Sequence, residues 1–148
     1  MDLLDIVVLG ATEVDVHFNV NVNTHSDGYL LHGIGGHQDT AAGAKLTFIT
    51  CPTARKTNAI IMDDVTTITT PGECIDVVVT EEGIAVNPLR KDLLEKLQGT
   101  DLPLHTIEEL RDIAYAKAGR GQPVACVNSD RIIGVIEWRD GTVIDVVR

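Results

Sequence analysis

The sequence is poor in aromatic residues and cysteines, and its basic residues are outnumbered by acidic ones. Aromatic residues make up 3% of the chain against 44% hydrophobic residues overall, so Val, Ile, Leu and Ala must form the core. The β-branched residues among them favour strands. The net charge of −10 argues against a protein that binds nucleic acid through its overall field. A local basic pocket for an anion remains compatible with that charge.

The cysteines are odd in number and form no C-x-x-C pair: Cys51, Cys74 and Cys126. This disfavours a disulfide scaffold and indicates a reducing compartment, with each cysteine as a small buried residue. No run approaches the ~20 apolar residues of a membrane span, and no basic region precedes the first apolar run, as it would in a secretory signal. We therefore expect a cytoplasmic protein that spans no membrane.

The hydrophobic periodicity changes along the chain in the way that is typical of an α/β domain. A buried strand is predicted over 3–9, and strict alternation over 13–23 predicts a strand whose polar face is either solvated or borders a site. Further strands are predicted over 45–51, 58–62, 65–70, 75–81 and 83–86, with a turn at Pro71-Gly72.

The later part of the chain has helical spacing and then a hairpin signal. One helix is predicted from Pro88 to about Gly99 with Asn87 as its N-cap. A second begins at Thr106 with a capping box to Glu109 and ends at Gly119. Asp140-Gly141 is predicted to be a two-residue hairpin turn. We expect 1–118 to form the main α/β unit and 119–148 to form a linker and a hairpin packed on the same core.

The stretch HGIGGHQDTAAGA, residues 32–44, is rich in glycine and histidine. Gly33, Gly35 and Gly36 can adopt positive φ and let a ligand approach backbone N–H groups, as in an anion or oxyanion hole. The spacing matches neither the Walker loop nor the dinucleotide fingerprint. A tight turn between a strand and a helix explains these glycines equally well. Asp39 could act as a nucleophile or base, but we favour a carboxylate that orients the loop or caps the short helix after it.

Other polar residues near this stretch are candidate ligands for an anion. Four of the five histidines lie between positions 17 and 37, but their irregular spacing makes a poor zinc site, so we predict no metal. Arg55 precedes Lys56 in a predicted loop and could bind a carboxylate, although solvated loop charges are the simpler explanation. From the residues alone, the chain is an α/β domain with a glycine-lined polar pocket.

Four long stretches together resemble the C-terminal part of the citrate lyase alpha chain family. They are VVLGATEVDVHFNVNVNTHSDG, HGIGGHQDTAAGAKLT, VTTITTPGECIDVVVTEEGIAVNP and DRIIGVIEWRDGTVIDVV. The G-x-G-G-x-x-D loop of the wider coenzyme A transferases is similar to residues 33–39, and their VVTE-G-A stretch is similar to residues 78–85. The resemblance covers nearly the whole chain in the same order.

The resemblance implies a coenzyme A transferase-type α/β fold with a mixed sheet, flanking helices and a C-terminal β-hairpin. It also implies exchange of acetyl for citryl on the thiol of an acyl carrier protein. That thiol belongs to a phosphoribosyl-dephospho-coenzyme A group, or to coenzyme A, and no cofactor is bound covalently to this chain. The implied partners are the beta (lyase) and gamma (acyl carrier) subunits, in an oligomer without nucleic acid or membrane.

The resemblance places the glycine loop beside the thioester, with Gly35 and Gly36 as oxyanion donors, Gly33 permitting the turn and Asp39 bracing the loop. From residue type, candidates for the carboxylates of citrate are Asn23, His25, His32, His37 and Arg55. Related chains are about three times as long, and the glutamate nucleophile of many coenzyme A transferases lies upstream of the matched region. We therefore expect the missing N-terminal half to be a partner, and little transferase activity from this chain alone.

Two alternatives to this function stay open. The chain could be a non-catalytic assembly or ligand-binding module, in which the glycine loop and histidines only dock a partner. It could also be a transferase for another short hydroxy-acid, such as citramalate, because few side chains decide such specificity.

Overall fold

The computed structural model describes residues 4–25, 29–120 and 131–148. Of the predicted linker, residues 121–130 with Cys126 lie outside these ranges. The helices are α1 (His37–Ala42), α2 (Lys91–Leu97) and α3 (Ile107–Ala118). The strands are β1 (Leu4–Gly10), β2 (Glu13–Asp15), β3 (Val20–Asn21), β4 (Ala44–Thr50), β5 (Ala54–Arg55), β6 (Asn58–Ala59), β7 (Ile61–Met62), β8 (Val77–Val79), β9 (Ile84–Val86), β10 (Leu104–His105), β11 (Gly134–Glu137) and β12 (Val143–Val147).

A five-stranded mixed sheet in the order β1–β4–β8–β9–β10 forms the centre of the fold. β1, β4 and β8 run parallel to one another, β9 is antiparallel to β8, and β10 is parallel to β9. The register pairs Gly10 with Thr50 and Thr50 with Val79, so these residues mark the carboxyl edge of the parallel strands. The mixed sheet, the helices and the terminal hairpin β11–β12 confirm the predicted fold class.

Helix α3 covers one face of the protein as its sequence pattern predicts. The Thr106 side chain accepts from the Glu109 N–H, and the Glu109 side chain accepts from the Thr106 N–H, which confirms the capping box. Caps of this kind contribute about 1 kcal/mol. Ile107, Leu110 and Ala114 are buried, and the helix packs on β5, β6, β7 and β9. The helix ends at Gly119, whose φ of 77° suits glycine. None of the helices in the described ranges is long and apolar enough to cross a bilayer.

The outer side of β1 is open, which corrects the prediction of a buried strand over 3–9. Ile6 and Val8 are 59% and 60% exposed, and their register partners Leu46 and Phe48 are only half-buried. A continuous apolar run indicates a strand covered on both faces, as is usual for parallel sheets. The described part of the chain supplies that cover on one face only.

The prediction of one long strand over 13–23 is wrong, because a tight turn divides the alternating pattern. β2 and β3 pair antiparallel, and Phe18 adopts a φ of 64° between them. The Asp15 carboxylate accepts the N–H groups of His17 and Asn19, both at 2.9 Å, and so closes the turn. Part of the polar face is buried: Glu13 and Asn21 are hydrogen-bonded to each other at 3.0 Å, whereas His17 is exposed.

The predicted strand over 65–70 is a loop joined to β3 by a single bridge at Thr70. Its threonine hydroxyls form hydrogen bonds that take the place of a strand ladder. The Thr69 hydroxyl donates to the Val20 carbonyl at 2.8 Å, and the Thr67 hydroxyl lies 2.9 Å from that of Thr24. Threonine side chains that bond to nearby backbone and hydroxyl groups compete with regular structure in this way, and β-propensity alone did not reveal it.

Two element boundaries also differ from the predictions. Arg90, not Asn87, is the N-cap of α2, and Asn87 instead accepts the Leu89 N–H at 3.0 Å to close the preceding turn. The connection of the β11–β12 hairpin is longer than two residues, with the Trp138 N–H donating to the Thr142 carbonyl at 2.7 Å. Within β12, the Asp145 carboxylate accepts the Ile68 N–H at 2.7 Å and so joins the hairpin to the 65–70 loop.

The turn at Pro71-Gly72 requires glycine because the β2–β3 turn lies against it. A Cβ on Gly72 would lie 2.0 Å from the His17 carbonyl oxygen and 2.9 Å from the Phe18 carbonyl carbon. We predict that Gly72→Ala lowers the free energy of unfolding by more than about 2 kcal/mol, because backbone must shift on both sides. Urea denaturation measures this, with Gly134→Ala as the control, where the nearest atom lies 3.9 Å away. Equal midpoints for the two variants would contradict this packing.

Candidate functional site

The glycine loop, residues 32–36, lies between the core and α1 with its backbone exposed. Gly35 has a φ of 63°, a conformation that favours glycine, and Gly36 is the N-cap of α1 without a side-chain cap bond. Within the described ranges, no acceptor is found for the N–H groups of Gly35 and Gly36. A Cβ at Gly33, Gly35 or Gly36 would meet nothing within 4 Å. Gly35 and Gly36 are therefore exposed, and their adjacent N–H groups have no acceptor among the described residues.

The loop is located at the carboxyl edge of the parallel strands through its neighbour His37. The ring Nε2 of His37 lies 3.1 Å from the carbonyl oxygen of Gly10, the last residue of β1. The ring Nδ1 lies 2.8 Å from the Thr70 hydroxyl. Ligands of open α/β sheets commonly bind outside the carboxyl ends of the strands. His37 was a candidate ligand for the carboxylates of citrate, but its side chain is buried and both ring nitrogens already have partners.

Asn23 and His32 are brought together at the start of the glycine loop. The Asn23 side-chain amide donates to the His32 carbonyl, and the Leu31 N–H donates to the Asn23 carbonyl at 2.8 Å. Asn23 is buried, and its side-chain oxygen has no hydrogen-bond partner in the described part of the chain. His32 is exposed, with Nδ1 2.9 Å from the Gly33 carbonyl oxygen. His25 is half-buried and joins the same loop through its N–H, which donates to the Tyr29 carbonyl at 2.9 Å.

The sequence suggested Asp39 as a cap of α1, but Asp39 lies inside the first turn of that helix. Its carboxylate is 3.1 Å from the guanidinium of Arg139, in the connection between β11 and β12. The carboxylate is largely exposed, so the ion pair stabilises the fold only slightly. Asp39 therefore contacts the terminal hairpin and leaves the bracing of the loop to other residues.

Arg55 lies beyond the end of β4, in the short β5–β6 hairpin, where it pairs with Asn58. It is exposed, and no hydrogen bond or ion pair joins it to the glycine loop in the described part of the chain. Asn23 and His25 thus lie close to the start of the glycine loop, which itself contains His32 and Gly33. Arg55 lies on a separate hairpin beyond the carboxyl end of β4.

Reasoning from single residues missed a polar cluster around Glu81 at the same carboxyl edge. The Glu81 carboxylate accepts the hydroxyl of Thr53 at 2.6 Å, the N–H of Thr53 at 2.9 Å and the ammonium of Lys117 at 2.9 Å. Partial burial would by itself raise the pKa of Glu81, but these hydrogen bonds outweigh it and lower the pKa from 4.5 to about 2. The VVTE stretch was the available signal, since Glu81 follows directly after β8 and Thr80.

The described cysteines are unsuited to nucleophilic chemistry. Burial raises the pKa of the Cys51 thiol to about 12, and burial also raises the pKa of Cys74. A thiol that stays protonated is a poor nucleophile. Among the described residues, no group of three or more His, Cys, Asp or Glu side chains is arranged to hold a metal ion.

The low pKa of Glu81 predicts a dependence of stability on pH. Because the folded-state pKa is lowered, the stabilisation is present above pH 4.5 and is lost as the pH falls towards about 2. Glu81→Gln should lower the unfolding midpoint at pH 6, and the difference from wild type should shrink between pH 4.5 and pH 2. Denaturation curves across this range measure the effect, with Glu95→Gln on the exposed face of α2 as the control. A difference independent of pH would contradict a charged Glu81 in the cluster.

Known proteins resemble this chain in both sequence and fold. The model of the family described as citrate lyase, alpha subunit (CitF), matches residues 1–148. The citrate lyase alpha chain of Klebsiella pneumoniae is 49% identical over 145 residues, which cover 98% of this chain and 28% of the relative. The alpha chain of Escherichia coli K12 is 46% identical over 147 residues, covering 99% of this chain and 28% of the relative. The chain thus spans less than a third of the length of these relatives.

Solved structures agree with this likeness. A crystal structure of the alpha subunit of citrate lyase in complex with citrate, from Streptococcus mutans, superposes with a TM-score of 0.95 at 50% identity. It covers 99% of this chain and 28% of that one. An acyl-CoA transferase from E. coli O157:H7 (YdiF) superposes with a TM-score of 0.52 at 22% identity over 84% of this chain and 31% of that chain, which shows a shared fold. Because the family model matches residues 1–148, this chain belongs to the citrate lyase alpha subunit family.

Proposed function

We propose that this chain forms the glycine-loop wall of an acyl-exchange site, in which citrate replaces acetate on the thiol of an acyl carrier. The observation that carries the proposal is the pair of unpaired, exposed N–H groups of Gly35 and Gly36 at the carboxyl edge of the sheet. This chain belongs to the citrate lyase alpha family, and that membership supports citrate as the acid that is exchanged. The Streptococcus mutans relative, which was crystallised with citrate, gives the same support.

The proposed exchange takes two acyl transfers and needs no oxidant or metal. A carboxylate oxygen of citrate attacks the carbonyl carbon of the acetyl thioester, the C–S bond breaks, and the thiolate leaves. The product is a mixed anhydride of acetate and citrate. The thiolate then attacks the citryl carbonyl of the anhydride, a new C–S bond forms, and acetate leaves with the bridging oxygen. Citryl thioester and acetate result, with no net change in protons.

Both attacks place negative charge on a carbonyl oxygen. Preorganised backbone N–H donors stabilise such an oxyanion, and loss of one donor in comparable sites costs about 10²–10³ in turnover. Gly35 and Gly36 are adjacent, unpaired and unobstructed by side chains, so both can approach a reacting carbonyl. Gly33 adopts no positive φ, so we assign it no role beyond its place in the loop. Asp39 pairs with Arg139 of the terminal hairpin, and we leave it out of the bracing of the donors.

Citrate carries three carboxylates and one hydroxyl, so its site requires donors or cations. His32 is the first residue of the glycine loop, and His25 precedes that loop in the chain. The Asn23 side chain donates to the His32 carbonyl. Arg55 adds a guanidinium from the neighbouring hairpin, which suits a carboxylate. We assign the ligand role to these four residues and exclude His37, because its ring nitrogens already bond to Gly10 and Thr70.

The remaining components of the reaction belong to other chains. The acyl thioester would sit on the phosphoribosyl-dephospho-coenzyme A group of a gamma (acyl carrier) subunit, or on coenzyme A, and this chain binds no cofactor covalently. A beta (lyase) subunit would cleave the citryl thioester to oxaloacetate and acetyl thioester. We propose that this assembly is an oligomer in the cytoplasm.

The open side of β1 fits the portion of the family's alpha chain that these residues do not span. Ile6 and Val8 lie exposed in a strand whose register partners are also only half-covered. Exposed apolar surface next to a parallel sheet marks an interface. The matched residues span 28% of the relatives' length, so the rest of such an alpha chain is the partner that we propose for this surface.

The exposed apolar surface also supports a second candidate, a non-catalytic assembly module. Titration of this chain with citrate, followed by 15N-resolved NMR, distinguishes the two. Acyl-exchange function predicts chemical shift changes concentrated in residues 23–56, because all candidate ligands lie there. Citramalate in a parallel titration tests whether another hydroxy-acid is preferred. If citrate shifts no resonance, the assembly module is the correct description.

The oxyanion role of the glycine loop predicts a specific kinetic effect in a full-length enzyme. Gly36→Val should lower kcat by about 100-fold or more while raising the KM for citrate only a few-fold, because the branched side chain fills the space beside the donors. The change should leave the fold intact, since a Cβ at Gly36 meets nothing within 4 Å. Thr100→Val, an exposed change just after α2, is the control. An unchanged kcat in Gly36→Val would refute the oxyanion role.

A further inference from the structure

The two residues that follow the glycine loop reach inward, away from solvent. His37 is 8% exposed and Gln38 is 9% exposed, although both are polar residues in the first turn of a short helix. His37 contacts the Gly10 carbonyl and the Thr70 hydroxyl, and the Gln38 side-chain amide donates to the Thr69 carbonyl at 2.7 Å. The helix begins at His37, so these contacts hold the chain directly after Gly35 and Gly36.

The partners of His37 decide which nitrogen carries the hydrogen. A backbone carbonyl only accepts hydrogen bonds, so the Nε2 that faces Gly10 must be protonated. A hydroxyl can donate, so Thr70 completes the neutral ring by donating to Nδ1. Burial lowers the pKa of His37, although the bond to Gly10 acts in the opposite direction, and this favours the neutral ring at pH 7. His37 is therefore a neutral ring with a fixed tautomer.

The contacts tie the glycine loop to two separate parts of the fold. Gly10 ends β1 in the central sheet. Thr69 and Thr70 belong to the 65–70 loop, which is itself fixed to β3 through the Val20 carbonyl. A helix of six residues has little stability of its own, and Gly36 offers no side chain to cap it. The direction of the Gly35 and Gly36 N–H groups consequently depends on the contacts of His37 and Gln38.

We propose that His37 and Gln38 are positioning residues, which hold the two glycine donors over the carboxyl end of β1 without touching the substrate. This inference rests on the proposed function of the glycine loop, but its structural part can be measured separately. It gives a role to the threonines of the VTTITT segment, whose backbone and hydroxyl groups receive the contacts. It also explains why a histidine beside a citrate site is buried and neutral.

Thr70→Val is the test of this arrangement, because it removes the hydroxyl that bonds His37 and keeps the side-chain shape. In this chain we expect chemical shift changes and greater mobility, measured as lower heteronuclear 15N NOE values, at the Gly35 and Gly36 amides. In a full-length enzyme we expect kcat to fall about 10- to 100-fold with the KM for citrate changed less than about threefold, as for a small misplacement of catalytic groups. Thr70→Ser keeps the hydroxyl and should restore both readouts.

Thr53→Val is the matched control, since Thr53 is as buried as Thr70. The Thr53 hydroxyl donates to the Glu81 carboxylate and accepts from the Lys117 ammonium, so its loss touches the Glu81 cluster and not α1. We expect a loss of stability similar to that in Thr70→Val, with the glycine amides and kcat unchanged. If both variants changed the glycine amides equally, His37 would contribute only general packing, and the proposal would be overturned.

The tautomer supplies a readout that does not depend on activity. The 15N spectrum of the His37 ring at pH 7 should show a neutral ring protonated at Nε2, and Thr70→Val should change the Nδ1 resonance. A charged ring, or a hydrogen on Nδ1, would overturn the proposal. If Thr70→Val moves the glycine amides but Gly36→Val leaves turnover intact, the contacts are supported and the proposed function is overturned. If Gly36→Val lowers turnover and Thr70→Val alters neither amides nor kcat, the positioning role is overturned and the proposed function stands.

Discussion

The parallel pairing of β1 with β4 constrains the rest of the structure. Parallel neighbours cannot be joined by a tight turn, so the chain must cross from the carboxyl end of one strand to the amino end of the next. That crossover, residues 11–43, holds the β2–β3 hairpin, the glycine loop and α1. It contains every candidate site residue except Arg55. Because α1 returns the chain to the start of β4, its own first residue lies at the carboxyl end of β1, and the glycine loop is carried there with it.

Buried polar contacts, more than large side chains, give this crossover its shape. Asn21 donates to the side chains of Glu13 and Thr24, all three residues are buried, and the Thr24 hydroxyl contacts that of Thr67. Buried polar groups are costly when unpaired and specific when paired, so such networks select one arrangement of the chain. This is consistent with a core that contains few aromatic residues. His37 and Gln38, directly after the glycine loop, make buried polar contacts of the same kind.

The outer side of β1 and the glycine loop are both exposed in the described part of the chain. Among the described residues, no apolar side chain covers the outer side of β1, and the N–H groups of Gly35 and Gly36 have no acceptor. A chain that spans 28% of its citrate lyase alpha relatives accounts for both features if the remaining part of such a chain packs on β1 and forms the opposite wall of the cleft. The domain then supplies one prearranged half of a site, held rigidly by its own hydrogen bonds.

The sequence by itself determined the features that depend on near neighbours or on long motifs. The Thr106–Glu109 capping box, the α/β class and the membership of the citrate lyase alpha family were all readable, because each is carried by residues close in the chain or by an ordered series of motifs. Only the tertiary structure decided that His37 is buried against Gly10 and Thr70, that residues 65–70 form a loop, and that Glu81 binds Thr53 and Lys117. Those contacts join residues 27 to 36 positions apart, and hydrophobic periodicity contains no information about which distant polar groups will meet.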